Sequence, residues 1–458
     1  MSNRAEFAVG DQPIRRQVVQ IAWPVIVENL LQQVLSVIGF WMVSRLGVAA
    51  IAGTGTAQQY LFIGFSAFGA IGVGASVLVS HSVGAGDAAR AGRVVKQSLL
   101  LALAIGFAVA VVGNALAREA NLALGVSREV AEFGATYLRV SAVGSPLLVL
   151  VFIASALLRG AGDSRTPMVI NLVTSAFGAV VTYPLIFGIG GWPGLGVAGA
   201  ALGPIFAWVI ASGFMLRALF AGRPDFALLN RNGWRPDRRV MRDILNIGIP
   251  SGVEQILSSG GFLLVTGVVA QLGTDSLAAF RVVMQTLGFS FMPGVGFGVA
   301  ATTLTGIHLG AGRPDMASAA TWTATRWAVA WMALIGAVLF VFGEPVMLLF
   351  APGQPEVVHI GAEAMRIAVF AQPFFGLING LSGGLRGAGD TRFPMLFAIL
   401  GIWLVRLPGS WLLGLGLGMG LAGIYVASIS DSVVRAAVFV WRYRRGAWRE
   451  MNVLGRQT

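Results

Sequence analysis

The hexapeptide Leu-Arg-Gly-Ala-Gly-Asp occurs twice in this chain, at residues 158–163 and at residues 385–390. Each copy is followed by the pattern Arg-x-Pro-Met, at residues 165–168 and 392–395. The chain has 458 residues, so the two blocks fall at the same place in the two halves of the sequence. This spacing indicates that the chain is a tandem duplication.

Two further pairs of motifs support the duplication. The pattern Pro-x3-Glu occurs at residues 24–28 and 250–254, and the tripeptide Gly-Ala-Gly occurs at residues 84–86 and 310–312. Both pairs have the same spacing, and the two hexapeptides are one residue further apart, so one residue was inserted before the later block. Gap-free matches over such spans are hard to obtain by chance, which indicates that the two halves are homologous.

Composition excludes an ordinary soluble protein. Hydrophobic residues make up 56% of the chain and charged residues 11%, whereas soluble domains carry about 25% charged residues. The mean hydropathy is +0.78. Too little polar material is present to cover a soluble surface, so lipid must surround most of the molecule.

Apolar segments long enough to cross a bilayer define the expected fold. A spanning helix needs about 20 mostly apolar residues, and prolines within such segments, among them Pro373 and Pro408, are predicted kink points. We therefore predict an all-α integral membrane protein with twelve transmembrane helices in two homologous six-helix lobes. The predicted segments are residues 18–43, 57–83, 94–116, 130–157, 166–189, 195–221, 244–271, 279–309, 325–350, 357–384, 393–415 and 420–441.

The duplication also predicts the lobes and their relative direction. We expect an N-terminal lobe at residues 1–230, with a cytoplasmic linker at about 222–242, and a C-terminal lobe at 231–458 with a basic tail. Six helices per lobe is an even number, so both lobes enter from the same side. Parallel repeats of this kind place a substrate site at their interface in known transporters. A duplicated channel or scaffold is the alternative.

The net charge is +12, and the positive residues are unevenly distributed along the chain. Arginines are concentrated in alternate loops and at both ends of the chain, and the intervening loops at 190–194 and 416–419 carry no charge. The positive-inside rule then places both termini in the cytoplasm. We expect a multi-pass protein of the plasma (inner) membrane whose first helix is the targeting signal.

Ionisable residues within membrane segments are costly and usually functional or paired. Glu28 and Glu254 occupy equivalent positions in helices one and seven, and Asp431 lies in helix twelve. We predict these three acids as candidates for coupling to protons or cations. The alternatives are that the two glutamates bond to backbone groups freed by the nearby prolines, and that Asp431 pairs with Arg435 four residues later.

Polar side chains in the same segments are candidates for the substrate cavity, although each could instead hold helices together. Arg281 and Arg406 could neutralise Glu254 or Asp431, or favour an anionic substrate. The predicted cavity residues are Asn29, Gln32, Gln33, Gln59, Asn171, Gln255, Gln285, Arg281, Asn379 and Arg406.

Several classes of protein are excluded by what the sequence lacks. The Gly-Ala-Gly turns lack the G-x4-G-K-[ST] pattern of an ATP-binding loop, and we expect these glycines to cap helices instead. No nucleophile and base pattern indicates an enzyme. The three histidines are widely spaced and form no metal motif, and Cys is absent. We expect no cofactor, no metal and no nucleic-acid partner.

The expected partners are a small-molecule substrate and the lipid bilayer, and the expected state is a monomer. The low share of charged residues and the internal repeat both favour a membrane transporter over a scaffold, since repeated folds of this size often transport.

The paired Leu-Arg-Gly-Ala-Gly-Asp blocks, the paired Pro-x3-Glu starts and the sequence Phe-Met-Pro-Gly at residues 291–294 resemble the multidrug and toxic compound extrusion (MATE) family of prokaryotic transporters, of the DinF and NorM types. The resemblance covers about residues 15–445. It implies two six-helix lobes and export of small amphipathic, often cationic, compounds in exchange for H⁺ or Na⁺.

This chain departs from the family pattern at the acids. Where many members have an aspartate in helix one this chain has Gly39, and the acid of helix five is replaced by Thr182. NorM-like members carry a helix-seven acid at the position of Ser258, one turn beyond Glu254. The coupling residue therefore cannot be copied from relatives. A lipid-linked saccharide flippase, a transporter of an anionic metabolite and a non-transporting scaffold remain alternative functions.

Overall fold

A computed structural model describes residues 12–221, 233–451 and 453. Within these ranges the chain forms twelve long helices and no strand. The helices are α1 (Ile14–Ser44), α2 (Val48–Gly84), α3 (Ala88–Ala123), α4 (Arg128–Gly160), α5 (Arg165–Phe187), α6 (Val197–Ala221), α7 (Arg238–Ala270), α8 (Thr274–Gly310), α9 (Pro314–Phe350), α10 (Pro355–Gly387), α11 (Arg392–Gly416) and α12 (Gly420–Arg444).

The twelve predicted segments fall on these twelve helices, so the predicted all-α membrane fold is confirmed. Eleven of the helices are long and apolar enough to cross a bilayer, and α2 has an apolar stretch at Phe68–Gly84 within its described part. Most helices extend beyond the predicted bounds. The largest extension at a single helix end is in α9, which begins at Pro314, well before the predicted start at residue 325. Hydropathy detects the lipid-covered span and misses the polar helix ends.

Two helices are locally irregular near prolines. In α10 a short 3-10 turn at Val369–Ala371 immediately precedes Gln372 and Pro373. In α11 two π-helical segments, Gly401–Arg406 and Ser410–Gly416, flank Pro408. Proline lacks an amide N–H and its ring clashes with the carbonyl group four residues earlier, so the regular hydrogen-bond ladder loses a bond at each of these two sites.

Packing divides the chain into two compact units. One unit contains residues 27–252, and the other contains residues 1–26 and 253–458. The two division points are equivalent positions of the sequence repeat. Each falls two residues beyond the proline of the repeated Pro-x3-Glu pattern, inside α1 and α7. The first turns of each repeat's leading helix therefore pack with helices of the other repeat.

The predicted boundary near residue 230 lies outside the described residues, as does the linker at 222–232. Residues 238–242, which the sequence assigned to the linker, form the start of α7. This part of α7 packs in the unit of residues 27–252, where Gly248 contacts the backbone of Ala70 and Gly74 contacts the carbonyl group of Ile244. These close contacts of α7 with α2 require glycine because a Cβ atom would meet backbone.

The first turns of α1 pack in the other unit in the corresponding way. Val18, Ile21 and Ala22 are buried in one hydrophobic cluster with residues of α8 and α9. Val18 and Ala22 are the repeat equivalents of Ile244 and Gly248. The duplication seen in the sequence is therefore also present in the packing.

The four glycine turns that mark the repeat all share one backbone geometry. Gly86, Gly162, Gly312 and Gly389 have φ between +69° and +93°. After each glycine, the next N–H donates to the carbonyl group five residues earlier, as from Asp163 to Leu158 at 2.9 Å and from the equivalent aspartate at 2.9 Å in the second copy. This is the Schellman arrangement that closes a helix end. The predicted role of these glycines as helix caps is confirmed.

Another glycine of the repeated hexapeptide allows two helices to approach closely. A Cβ atom on Gly160 would lie 2.6 Å from the carbonyl oxygen of Ser76 in α2. A Cβ atom on the equivalent Gly387 would overlap the carbonyl oxygen of Thr302, the repeat equivalent of Ser76, in α8. α4 and α10 thus approach their partner helices at backbone distance.

We expect Gly387→Ala to lower the thermal unfolding midpoint of the protein in detergent, because a methyl group at this contact must push α10 away from α8. Overpacking of this kind costs about 1–3 kcal/mol. The control is Gly267→Ala in α7, where nothing lies within 4 Å of the added Cβ. Equal midpoints for the two variants would contradict the close α8–α10 contact.

Candidate functional site

Glu28 is the centre of a buried polar cluster in the unit of residues 27–252. Its side chain lies in α1 and is almost fully buried. Arg159, in the last turn of α4, donates from Nη1 to Oε2 at 3.0 Å, and Asn171 of α5 donates from Nδ2 to Oε1 at 2.7 Å. Both carboxylate oxygens therefore have a partner, and one acid joins three helices.

Glu254 forms the equivalent pair in the other unit. Arg386, at the end of α10, donates from Nη2 to Oε1 of Glu254 at 2.7 Å. The second oxygen, Oε2, is buried and has no hydrogen-bond partner among the described residues. The repeat position of Asn171 is occupied by Ala398, which has no donor in its side chain. The two glutamates therefore have the same charged partner and different second partners.

The partners of both acids are side chains. The sequence left open whether Glu28 and Glu254 bond to backbone freed by the nearby prolines, and the observed bonds come instead from Arg159, Asn171 and Arg386. In the sequence the two arginines stand out only as part of the repeated hexapeptide. The signal that could have found the pairs is that each glutamate and its arginine recur together in both halves.

A third charged site lies between α11 and α12. Arg435 contacts Asp431 through two atom pairs, Nε to Oδ1 at 2.7 Å and Nη2 to Oδ2 at 2.7 Å. The predicted ion pair between these two residues is confirmed. Arg406 of α11 also approaches Oδ2 of Asp431, at 2.9 Å. The Asp431 side chain is fully buried, so one carboxylate is enclosed by two guanidinium groups.

The remaining cavity candidates are dispersed along the helices. Gln32, Gln59, Gln255, Gln285 and Arg281 are exposed on the described structure, and Glu254 is paired with an arginine of α10 and not with Arg281. Asn29 and Gln33 are half-buried. Their roles in substrate binding stay predictions.

Asn379 lies at a close helix contact. It is half-buried in α10, donates to the carbonyl oxygen of Phe375 at 3.0 Å, and lies beside Gly294 and Gly298 of α8. Its repeat equivalent is Phe152, which lies beside Gly72 in α2. The position is therefore a packing contact in both repeats, with a polar side chain only in the second.

At two positions where the family resemblance implies an acid, this chain has uncharged residues, Thr182 and Gly39. Thr182 is buried in α5 and donates to the carbonyl oxygen of Gly178 in the same helix at 2.7 Å. Gly39 lies in α1, and nothing is within 4 Å of where its Cβ would be. Within the described residues no group of three or more His, Asp or Glu side chains could hold a metal ion.

The fold and its duplicated acid–arginine pairs define a class, that of polytopic helical membrane proteins built from two homologous repeats. The model of the MatE family matches residues 24–184 and 250–412. The chain belongs to the MatE family of multidrug efflux transporters, and it is a transporter, not an enzyme. The resemblance noted in the sequence is thereby confirmed.

Relatives of known name match over almost the whole chain. The chain is 27% identical over 445 residues to "Probable multidrug resistance protein NorM" of Thermotoga maritima, covering 97% of this chain and 95% of that protein. It is 28% identical to "Multidrug resistance protein NorM" of Burkholderia vietnamiensis, covering 93% and 92%.

Solved structures show the same fold at lower sequence identity. A MATE protein crystallised in complex with MaL6 superposes with a TM-score of 0.89 at 22% identity, covering 96% of this chain and 98% of that chain. An outward-facing multidrug resistance MATE family transporter superposes with a TM-score of 0.88 at 21% identity and the same coverage.

We expect Arg159→Gln to destabilise the protein strongly, because it leaves the Glu28 carboxylate buried without its cation. Removing one partner of a buried ion pair costs about 3–5 kcal/mol. The measurement is the thermal unfolding midpoint in detergent. Arg118→Gln is the control, since Arg118 and Glu132 form an exposed pair with side chains 47% and 56% accessible, worth at most about 1 kcal/mol.

The double variant Glu28→Gln with Arg159→Gln should recover part of the lost stability, because it removes both buried charges together. If Arg159→Gln unfolds at the same temperature as Arg118→Gln, the pair of Glu28 and Arg159 does not stabilise the fold as we expect.

Proposed function

We propose that this protein exports small amphipathic organic compounds, mainly cations, in exchange for H⁺ or Na⁺. Export proceeds by alternating access as the two repeats move, as in other transporters with parallel repeats. We further propose that it works as a single chain in the plasma (inner) membrane with both termini in the cytoplasm. The proposal is supported by the multidrug names of the relatives and by the pair of Glu254 with Arg386 in the second repeat.

The observation that carries it is the difference between Glu28 and Glu254. Coupling requires a group that can take up a proton or a cation and change its contacts when it does so. Both oxygens of Glu28 are occupied by Arg159 and Asn171, so Glu28 is suited to a fixed structural role. Glu254 has a buried oxygen, Oε2, without a partner. An ion that binds there displaces no hydrogen-bond partner of Oε2.

Binding at Glu254 would be transmitted through Arg386. A neutralised carboxyl group attracts the guanidinium less than a carboxylate does, so the contact between α7 and α10 would weaken when the ion is bound. The reverse step, loss of the ion, would restore the 2.7 Å pair. Glu254 thus links ion occupancy to the contact between two helices of one unit.

We expect Glu254→Gln to reduce dye efflux to the level of cells or inverted vesicles lacking the protein, while its insertion stays normal. The measurement is efflux of a cationic dye under separate H⁺ and Na⁺ gradients, which also identifies the coupling ion. Glu28→Gln is the matched variant in the other repeat. Because it also leaves a buried arginine, Arg159, without its anion, efflux is compared per amount of folded protein, and on that basis Glu28→Gln should retain more transport than Glu254→Gln. Normal efflux by Glu254→Gln would show that the coupling residue lies elsewhere.

The proposed orientation can be tested because the chain contains no cysteine. Ala311 lies at the exposed turn between α8 and α9, and Ala123 is an exposed residue at the end of α3. We expect a membrane-impermeant maleimide to label Ala123→Cys from outside intact cells and to label Ala311→Cys only in inverted vesicles. Labelling of Ala311→Cys in intact cells would reverse the assignment.

A further inference from the structure

The second repeat contains a buried cationic group that its own structure does not neutralise. Asp431 and Arg435 are four residues apart on α12 and contact each other through two atom pairs at 2.7 Å, so each charge has its counterpart. Arg406 is then the surplus guanidinium. Its side chain is only 14% accessible, and the formal charge of the three residues together is +1. A buried charge without a full partner is costly.

The surroundings of Arg406 contain further unsatisfied polar atoms. Within the described residues, this cluster has buried donors without a hydrogen-bond partner at Nε and Nη2 of Arg406, at Nε of Arg435 and at the hydroxyls of Tyr425 and Ser410. Against these donors stands one buried acceptor of the cluster without such a partner, Oδ1 of Asp431. Ser410 follows Arg406 by four residues, about one turn, in α11. Tyr425 of α12 is buried in a cluster against which Leu407, the residue after Arg406, packs. Buried polar atoms are normally satisfied, so this excess of unsatisfied donors over acceptors around one surplus cation indicates a place for an anionic acceptor.

An aromatic surface adjoins the cation. The guanidinium carbon of Arg406 lies 5.7 Å from the ring centroid of Phe375 in α10, and Phe375 packs edge-on against Phe291 of α8 at 6.3 Å. A ligand that carries both a carboxylate and an apolar ring could bind Arg406 through the former and these phenylalanines through the latter. Bidentate carboxylate binding is what the planar guanidinium favours.

The cluster is specific to the second repeat. Aligning the Gly-x-Gly-x-Ala-Gly stretches at residues 194–199 and 418–423 places Ala207 opposite Asp431 and Ala211 opposite Arg435. α11 has 25 residues where its repeat equivalent α5 has 23. α11 also contains two π-helical segments, whereas α5 is a continuous α-helix. Arg406 ends the first of these segments.

We propose that Arg406, with the hydroxyls of Tyr425 and Ser410, binds the carboxylate of an amphipathic organic anion or zwitterion. Asp431 and Arg435 position Arg406 from α12, since Oδ2 of Asp431 lies 2.9 Å from Nη2 of Arg406. The inference extends the substrate class beyond organic cations and does not depend on which residue couples transport to ions.

Equilibrium binding to the purified full-length protein in detergent tests the proposal, with 2-naphthoate as the anionic probe and 2-naphthylmethylammonium as the matched cation. Isothermal titration calorimetry should show binding of 2-naphthoate by the wild type. Arg406→Gln should weaken that binding about tenfold to a hundredfold, the range expected for a lost charge-assisted hydrogen bond. Arg406→Gln should leave binding of the cation unweakened.

Matched variants separate recognition from folding. Arg366→Gln removes an exposed arginine of α10 in the same unit, 54% accessible and 3.6 Å from Glu344, and should not change 2-naphthoate binding. Arg406→Lys should keep part of the affinity because the charge remains, and Tyr425→Phe should weaken binding severalfold without changing any charge.

The proposal is overturned if the wild type does not bind 2-naphthoate, or if Arg406→Gln binds it as tightly as Arg366→Gln does. Chloride distinguishes a general anion site from a carboxylate site. Weak competition by chloride supports the carboxylate assignment, whereas binding of chloride without binding of 2-naphthoate rules it out. None of these outcomes depends on dye efflux, so failure of the proposed export function would be seen separately.

Discussion

A buried carboxylate paired with an arginine is the interaction on which each repeat of this transporter depends. In a chain with 11% charged residues, the glutamates of α1 and α7 occupy positions where an unpaired charge would be very costly. Each finds its partner at the end of a distant helix, Arg159 in α4 and Arg386 in α10. The pairs therefore fix the relative positions of helices that apolar packing alone would orient less specifically.

The glycine turns make these pairs possible. Arg159 and Arg386 each stand immediately before a Gly-Ala-Gly sequence whose positive-φ glycine ends the helix. The helix end is thereby fixed one turn from the guanidinium group, and the cation lies near the carbonyl groups at the helix C-terminus, where it is favoured. The same hexapeptide thus supplies a helix cap and the counter-ion of a buried acid, which accounts for its retention in both halves.

Functional asymmetry arises where the repeats differ. Asn171 donates a hydrogen bond to the second carboxylate oxygen of Glu28. The equivalent residue of the second repeat, Ala398, has no side-chain donor, and the second carboxylate oxygen of Glu254 has no hydrogen-bond partner among the described residues. The acid and the arginine that α12 contributes to the Arg406 cluster likewise replace alanines of the first repeat. In the proposed mechanism, Glu28 has a structural role and Glu254 an ion-binding role. The proposed ion site and the proposed anion site both use residues of the second repeat.

Much of the fold was predictable from sequence, because hydropathy and internal repetition both have long-range signatures. The twelve helices and the turn role of the glycines follow from local pattern. The division of α1 and α7 between two packing units could not be predicted from local pattern. A continuous apolar helix gives no sign of which neighbours its first turns contact. The pairing of Glu254 with Arg386 also joins residues far apart in the sequence, and the sequence suggested Arg281 or Arg406 instead. The π-helical segments of α11 flank Pro408, which the sequence predicted only as a kink point.

If Glu254 binds the coupling ion and Glu28 does not, only substitution of Glu254 should abolish the release of that ion when substrate binds. The most direct measurement is the number of coupling cations released when purified protein binds a cationic dye. Release of H⁺ is obtained from the buffer dependence of the binding enthalpy, and release of Na⁺ from the Na⁺ dependence of the dissociation constant. We expect wild type and Glu28→Gln to release a cation on binding dye, and Glu254→Gln to release none. Cation release that persists in Glu254→Gln, or that disappears in Glu28→Gln, would contradict the assignment of the two acids.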